Sequence, residues 1–133
     1  MSIISVRAAL QSKLESIPGS VDVAWENFKY DPVDGTPYQA AYVLHTVENP
    51  TMGDGFHRLI GVFQINLYYP LKEGTATAEA RAELIKTTFK RGTSMTSGGV
   101  TTRIERTPEI NQGRADGDRW MIPVKIRWFA DVI

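Results

Sequence analysis

Two histidines, His45 and His57, are the side chains in this sequence best suited to acid–base or metal chemistry. His57 follows the segment MGDG (52–55) and precedes Arg58, so this stretch resembles the entrance to an active site. No HxH, HExxH or carboxylate at ligand spacing accompanies either histidine, and a zinc site would need ligands from distant parts of the chain. Glycines flanking an aspartate are typical of a turn. The stretch therefore predicts a turn between two strands.

Other common chemistries also lack their motifs. The chain has no cysteine, which excludes thiolate metal sites and cysteine nucleophiles. It has no GxSxG, GxGxxG or GxxxxGK[ST] segment. The aspartates in DPVDG (31–35) and ADGD (115–118) lack the spacing of a calcium loop and favour hairpin turns. We therefore expect no catalytic, cofactor-binding or metal-binding residues.

The composition is that of an ordinary globular domain. The chain has 133 residues, of which 42% are hydrophobic, so we expect one domain over residues 1–133. Fifteen basic and fifteen acidic residues balance, which gives no general attraction for nucleic acid or anionic membranes. Residues 1–66 nevertheless have a formal charge of −3 and residues 67–133 one of +3.

No apolar run approaches the roughly 20 residues that a membrane-spanning helix needs. The first residues, MSIISVRAAL, also lack the pattern of a signal peptide. We expect a protein that is made and used without secretion.

The hydrophobic pattern predicts two helices and five strands in the order α-β-β-β-α-β-β. One helix runs from Ser2 to about Ile17, and the other from Thr75 or Thr77 to Arg91–Gly92. The second helix would bury Ala78, Ala82, Ile85 and Phe89, with Leu84 beside them. The predicted strands are 21–26, 38–47, 56–69, 100–105 and 120–132, and the predicted loops are 27–37, 48–58, 91–99 and 111–118.

Helices and hairpins segregate along the chain, which indicates an α+β fold with a largely antiparallel sheet packed against two helices. In the last strand Pro123 cannot donate a backbone hydrogen bond, so we expect that strand to run along an edge of the sheet there. The last third of the chain is basic but has no zinc finger, helix-turn-helix or RNP pattern. Sequence-specific binding of nucleic acid is therefore not expected, whereas a channel through which DNA merely passes is compatible.

These segments together resemble the small phage tail-terminator (tail-completion) proteins, and most closely a phage-related domain family of unassigned function found in prophages. The resemblance spans almost the whole chain. Its residues are the helix ending at Pro18-Gly19, then Trp25-Glu26-Asn27, Gly61-x-Phe63-Gln64-Ile65-Asn66-Leu67-Tyr68 with Pro70 and Gly74, Ala78, Ala82, Leu84 and Phe89, Gly99-Val100, and Trp120-x-x-Pro123-Val124-x-Ile126.

The resemblance implies a structural virion protein with no catalytic residues to carry over. Its subunits would form a ring, a hexamer, that caps the finished tail tube and presents a surface for joining the head. The implied partners are other copies of the chain, the tail tube protein and a head-completion or neck protein. The implied location is the virion tail, assembled in the cytoplasm of the bacterial host.

Four arginines are candidates for polar contacts between subunits or in the ring lumen: Arg103, Arg114, Arg119 and Arg127. The alternative for each is an exposed charge on a strand. Three other functions stay open at this point. They are a different neck or head–tail connector component, a small enzyme that gathers a histidine with carboxylates, and a domain that binds a small ligand in an apolar pocket.

Overall fold

A computed structural model describes residues 2–19, 21–45, 49–50 and 57–132. These residues form two helices and nine strands. The helices are α1 (Ser2–Glu15) and α2 (Ala76–Thr88). The strands are β1 (Asp22–Trp25), β2 (Tyr38–His45), β3 (Asn49–Pro50), β4 (His57–Pro70), β5 (Ser94–Ser97), β6 (Val100–Ile104), β7 (Glu109–Ile110), β8 (Arg114–Asp116) and β9 (Arg119–Val132).

All nine strands belong to one sheet, whose main order is β1-β2-β4-β9-β6-β5. The short strand β3 pairs with β4, and β7 and β8 pair with β9. Every pair is antiparallel except β1 with β2, which is parallel. The predicted α+β class, with a largely antiparallel sheet and two helices, is confirmed.

The centre of the sheet is the long pair β4–β9, which runs in register from His57 opposite Val132 to Pro70 opposite Arg119. Alternate residues of a strand point to opposite faces, and directly paired residues share a face. One face of this pair is buried, through Phe63, Ile65, Leu67 and Tyr69 of β4 and Ile122, Val124, Ile126 and Trp128 of β9. Those side chains form the sheet's share of the core.

Both helices pack on this same face and complete the core. In α1, Val6, Leu10 and Leu14 are buried at helical spacing. In α2 the predicted stripe is confirmed, with Ala78, Ala82, Ile85 and Phe89 all buried. The prediction for Leu84 is wrong, because its side chain is 44% exposed. No described helix has the length and apolar character to cross a membrane.

Arg81, one turn from Ala78 and Ile85, is a buried cation on the side of α2 that carries the apolar stripe. Its Nη1 donates hydrogen bonds to the carbonyl oxygens of Pro18, at 3.0 Å, and Gly19, at 3.2 Å. Burial lowers the pKa of Arg81. The guanidinium therefore ties α2 to the segment that ends α1.

The prediction that Pro123 marks a sheet edge is wrong. Pro123 lies opposite Asn66 of β4 on one side, and its carbonyl accepts a hydrogen bond from the backbone N–H of Asn111, just after β7, on the other. The nitrogen and carbonyl of a strand residue point to the same side. The missing donor of Pro123 therefore faces the short strand β7, where the ladder ends, and the pairing with β4 is unaffected.

Three predicted loops contain strands. Segment 91–99 holds β5, which pairs with β6 through Thr96 opposite Thr101. Segment 111–118 holds β8, and only Gly117 and Asp118 form the turn to β9. Gly117 has φ 62°, which suits the first position of a two-residue hairpin turn. Of the predicted loop 48–58, residues 49–50 form β3, while the MGDG turn lies outside the described residues.

Candidate functional site

The face of the sheet opposite α1 and α2 carries no described helix, and we call it the helix-free face. It is formed by the even-numbered residues of β2 and β4 and the odd-numbered residues of β9, together with their paired neighbours. Its polar and aromatic side chains include Tyr38, Gln64, Asn66, Lys125 and Phe129. A largely polar outer face is typical of antiparallel sheets.

All four candidate arginines lie on the helix-free face. Arg119 and Arg127 are odd-numbered residues of β9, and Arg103 and Arg114 pair directly with odd-numbered residues of that strand. Arg103 and Arg114 are exposed, and neither has a carboxylate within 4.0 Å among the described residues. The structure thus places the four on one surface, while their roles as interface or lumen contacts stay predictions.

Ion pairs link neighbouring strands on the helix-free face. Arg58 binds Asp131 through two hydrogen bonds of 2.7 and 2.9 Å, and its guanidinium lies 4.6 Å from the centre of the Phe129 ring. The hydrogen bond from Arg58 holds the pKa of Asp131 below its ordinary value, and the charge of Arg103 adds to this effect. Arg127 has its Nε 3.8 Å from a carboxylate oxygen of Glu109.

Arg119 has a different environment, because its side chain is only 5% exposed. Its guanidinium donates hydrogen bonds to the carbonyl oxygens of Val33, at 2.7 Å, and Thr36. It also lies 5.2 Å from the centre of the Tyr38 ring. Arg119 therefore holds the connection between β1 and β2 against the helix-free face.

Beneath this connection lies a groove of about 320 Å³ that sequence reasoning missed. We call it the tyrosine groove. Its walls are Tyr30, Tyr38, Tyr42 and Tyr68, and Ala40, only 4% exposed, forms its floor. The rings of Tyr38 and Tyr68 stack at 4.8 Å, and those of Tyr30 and Tyr38 are 5.0 Å apart.

The sequence held a signal for this groove. Tyr38, Ala40 and Tyr42 alternate along β2, and Tyr68 lies on the polar side of β4 with Gln64 and Asn66. Two-residue spacing places all of them on one face. The cluster was missed because the β2–β4 register, which brings Tyr38 opposite Tyr68, cannot be derived from either segment alone.

The two histidines do not assemble a metal site with other described residues. His45 is exposed at the end of β2, and His57 is the first residue of β4. Among the described residues, no group of three or more histidines and carboxylates could hold a metal ion. The charge of His45 acts on Glu26, but the Oε1 of Glu26 already accepts hydrogen bonds from Arg7 at 2.8 Å and from the Val43 N–H at 2.6 Å.

Comparison with known proteins identifies the family. A model described as phage tail terminator protein matches residues 5–128. A solved structure, of a protein without a descriptive name, aligns with 98% of this chain and 96% of its own length, at 27% sequence identity and a TM-score of 0.78. No curated protein matches the chain.

The family match begins inside α1 and ends inside β9, so it takes in α2, strands β1 to β8, and most of α1 and β9. It includes the helix-free face and the tyrosine groove described above. The chain belongs to the phage tail terminator protein family.

Proposed function

We propose that this protein caps the finished phage tail tube as a ring of six subunits and presents the surface at which the head joins. The observation that carries the proposal is the family match over residues 5–128, because it covers the folded body rather than one motif. The number six follows from the resemblance of the sequence to tail-terminator proteins. The proposed partners are other copies of the chain, the tail tube protein and a head-completion or neck protein.

The charges of the helix-free face suit the lining of a channel. Arg103 and Arg114 are exposed there without a carboxylate neighbour within 4.0 Å among the described residues, whereas Arg58 and Arg127 are paired with acids. Affinity for DNA rises with the number of phosphates that a protein neutralises. A surface that mixes single cations with ion pairs therefore lets DNA pass without holding it.

The proposed location is the virion tail, and assembly takes place in the cytoplasm of the bacterial host. A capping role requires binding to one end of a tube rather than along its side. In this role neither histidine takes part in a reaction, in keeping with a family of structural proteins.

Purified tail tubes test this function directly. The protein should bind at one end of each tube in negative-stain micrographs and stop further polymerisation of tube protein. A His45→Ala/His57→Ala variant should cap tubes as the native protein does, because capping uses no histidine chemistry. Failure to bind tubes, with binding to isolated head portals instead, would replace the proposal with a connector function.

A further inference from the structure

The rim of the tyrosine groove is acidic. Asp22 accepts a hydrogen bond of 3.2 Å from the Tyr30 hydroxyl, and Asp31 precedes Pro32, which lines the groove. Asp116 pairs with Arg119, whose guanidinium lies 5.2 Å from the centre of the Tyr38 ring, so Asp116 and the turn residue Asp118 lie near the groove. Lys29, 3.9 Å from Asp31, is the one lysine in the β1–β2 connection.

The groove therefore combines the two features that attract a cationic side chain. Faces of tyrosine rings bind guanidinium and ammonium groups, and nearby carboxylates add long-range attraction. The cation already present, Arg119, is buried under the connection and bonded to two carbonyl oxygens. It leaves the rim acidic and the groove open to a second cation.

A basic counterpart lies at the other edge of the sheet. In the strand order, β1 and β2 occupy one edge and β6 and β5 the other. Four cations surround that second edge, which we call the basic edge: Lys90, Arg91, Arg103 and Arg106. Of these, Arg106 is paired with Glu105 at 3.4 Å, while the other three have no carboxylate within 4.0 Å among the described residues.

Arg91 lies in a tight turn at the basic edge. The Thr93 N–H donates to the Lys90 carbonyl at 3.0 Å, which closes a turn with Arg91 and Gly92 in its centre. Gly92 has φ 86°, as the third residue of a type II turn requires. The Gly92 N–H bonds to the Ile104 carbonyl and fixes the turn on β6, so the exposed Arg91 is held at the tip of a supported turn.

We propose that Arg91 of one copy docks in the tyrosine groove of the next copy, with Lys90 facing the acidic rim. This contact rests on the proposed ring function and names the surfaces that build the ring. It joins two different surfaces of the same chain, and repeated heterologous contacts of this kind form a ring when the rotation from copy to copy closes. It brings Asp22 and Asp31 of the acidic half together with Lys90 and Arg91 of the basic half.

Cysteine cross-linking tests the contact, since the native chain has no cysteine. Phe28 is 75% exposed and lines the groove, so Phe28→Cys marks its rim. Mixed under a mild oxidant with Thr93→Cys protein, which keeps Arg91 and places a thiol two residues away from it, the Phe28→Cys protein should form heterodimers about tenfold faster than with Ser12→Cys protein, because docking raises the effective thiol concentration. Ser12 is exposed on α1 and serves as the matched control.

Charge reversal provides the second measurement. Arg91→Glu with Lys90→Glu should weaken self-association about tenfold or more, because like charges then meet at the rim. Lys13→Glu, on α1, also replaces a basic side chain with an acidic one, but away from the proposed contact, and it should leave association unchanged. Adding Asp31→Lys and Asp118→Lys to the reversed chain should restore association.

The two proposals fail in different ways. Rings that form in the native protein, with cross-linking no faster than in the control and no effect of charge reversal, would overturn the Arg91 contact and leave the ring function standing. Native protein that forms no rings and binds no tail tubes would overturn the ring function, while the cross-linking rate would still decide the contact between two copies.

Discussion

Trp128 of β9 lies directly opposite Gly61 of β4, and its indole fills the space that a side chain at position 61 would occupy. A Cβ atom added to Gly61 would lie 2.6 Å from the Trp128 ring and would clash with the carbonyl oxygen of Leu44 on β2. Trp128 is fully buried at this point. The missing side chain therefore allows the largest residue of the core to sit against the central strands.

Replacing Gly61 with alanine should destabilise the protein by about 3 kcal/mol, because the clash involves a backbone oxygen that cannot move cheaply. Adding Trp128→Phe should recover little, since the Leu44 carbonyl remains in place and a cavity is created. Urea denaturation of both variants measures these effects. Ser94→Ala, on the exposed side of β5, is the control, and an unchanged unfolding midpoint for Gly61→Ala would contradict the clash.

Replacing Arg81 separates hydrogen bonding from packing at the α1–α2 connection. Arg81→Met keeps an unbranched stem but loses the bonds to Pro18 and Gly19, and should cost about 1 kcal/mol of unfolding free energy. Arg81→Ala also loses the packing and should cost about 2–3 kcal/mol. Chemical denaturation gives both values. A methionine variant as stable as the native protein would show that the two bonds contribute nothing.

Replacing Arg119 tests its hold on the β1–β2 connection. A lysine cannot donate to the Val33 and Thr36 carbonyls in the same planar geometry, so Arg119→Lys should lose about 1–2 kcal/mol. Hydrogen exchange should speed up in residues 27–37, while exchange in β4 and β9 stays slow. Equal acceleration throughout the sheet would contradict a local role.

The pairing of Glu26 with Arg7 predicts an acid-sensitive component of stability. Burial raises the pKa of Glu26, but the hydrogen bonds from Arg7 and the Val43 N–H outweigh it and hold this pKa below its ordinary value of 4.5. Between the folded pKa and pH 4.5, the unfolded chain therefore binds more protons at Glu26 than the folded chain does. The stabilisation is present above about pH 4.5 and is lost as the pH falls through the folded pKa.

Glu26→Gln should thus be less stable than the native protein near pH 7 and lose less stability as the pH falls from 4.5 to 3. Thermal unfolding across this range provides the comparison. Glu83→Gln, at an exposed position of α2, should follow the native curve. Parallel curves for Glu26→Gln and the native protein would contradict the depressed pKa.

The hydrophobic pattern within single segments predicted the helices and strands that bury one face. Apolar residues alternate in β4 and β9 and recur at helical spacing in α1 and α2. This spacing identifies core side chains because it determines which residues of an element share one face. Relationships between distant segments could not be obtained this way. Pro123 is tolerated inside the sheet because its missing donor faces the short β7, and β5 forms because β6 offers it an edge, facts that depend on strand order.

The same limit applies to the candidate site. The four arginines were chosen one by one from the sequence, and the register places them on a single face. Arg119 and Arg103 look alike in sequence, yet one is buried against carbonyl oxygens and the other is exposed. The tyrosine groove required the pairing of β2 with β4 and the folding of residues 27–37 over both.

The central claim, that this chain builds rings, is tested most directly by light scattering on a sizing column over a wide concentration range, with micrographs of the largest species. The account predicts a discrete particle of about six times the 14.8 kDa chain mass that appears as a ring, alone or on purified tail tubes. Monomers at every concentration, together with no binding to tail tubes, would contradict it.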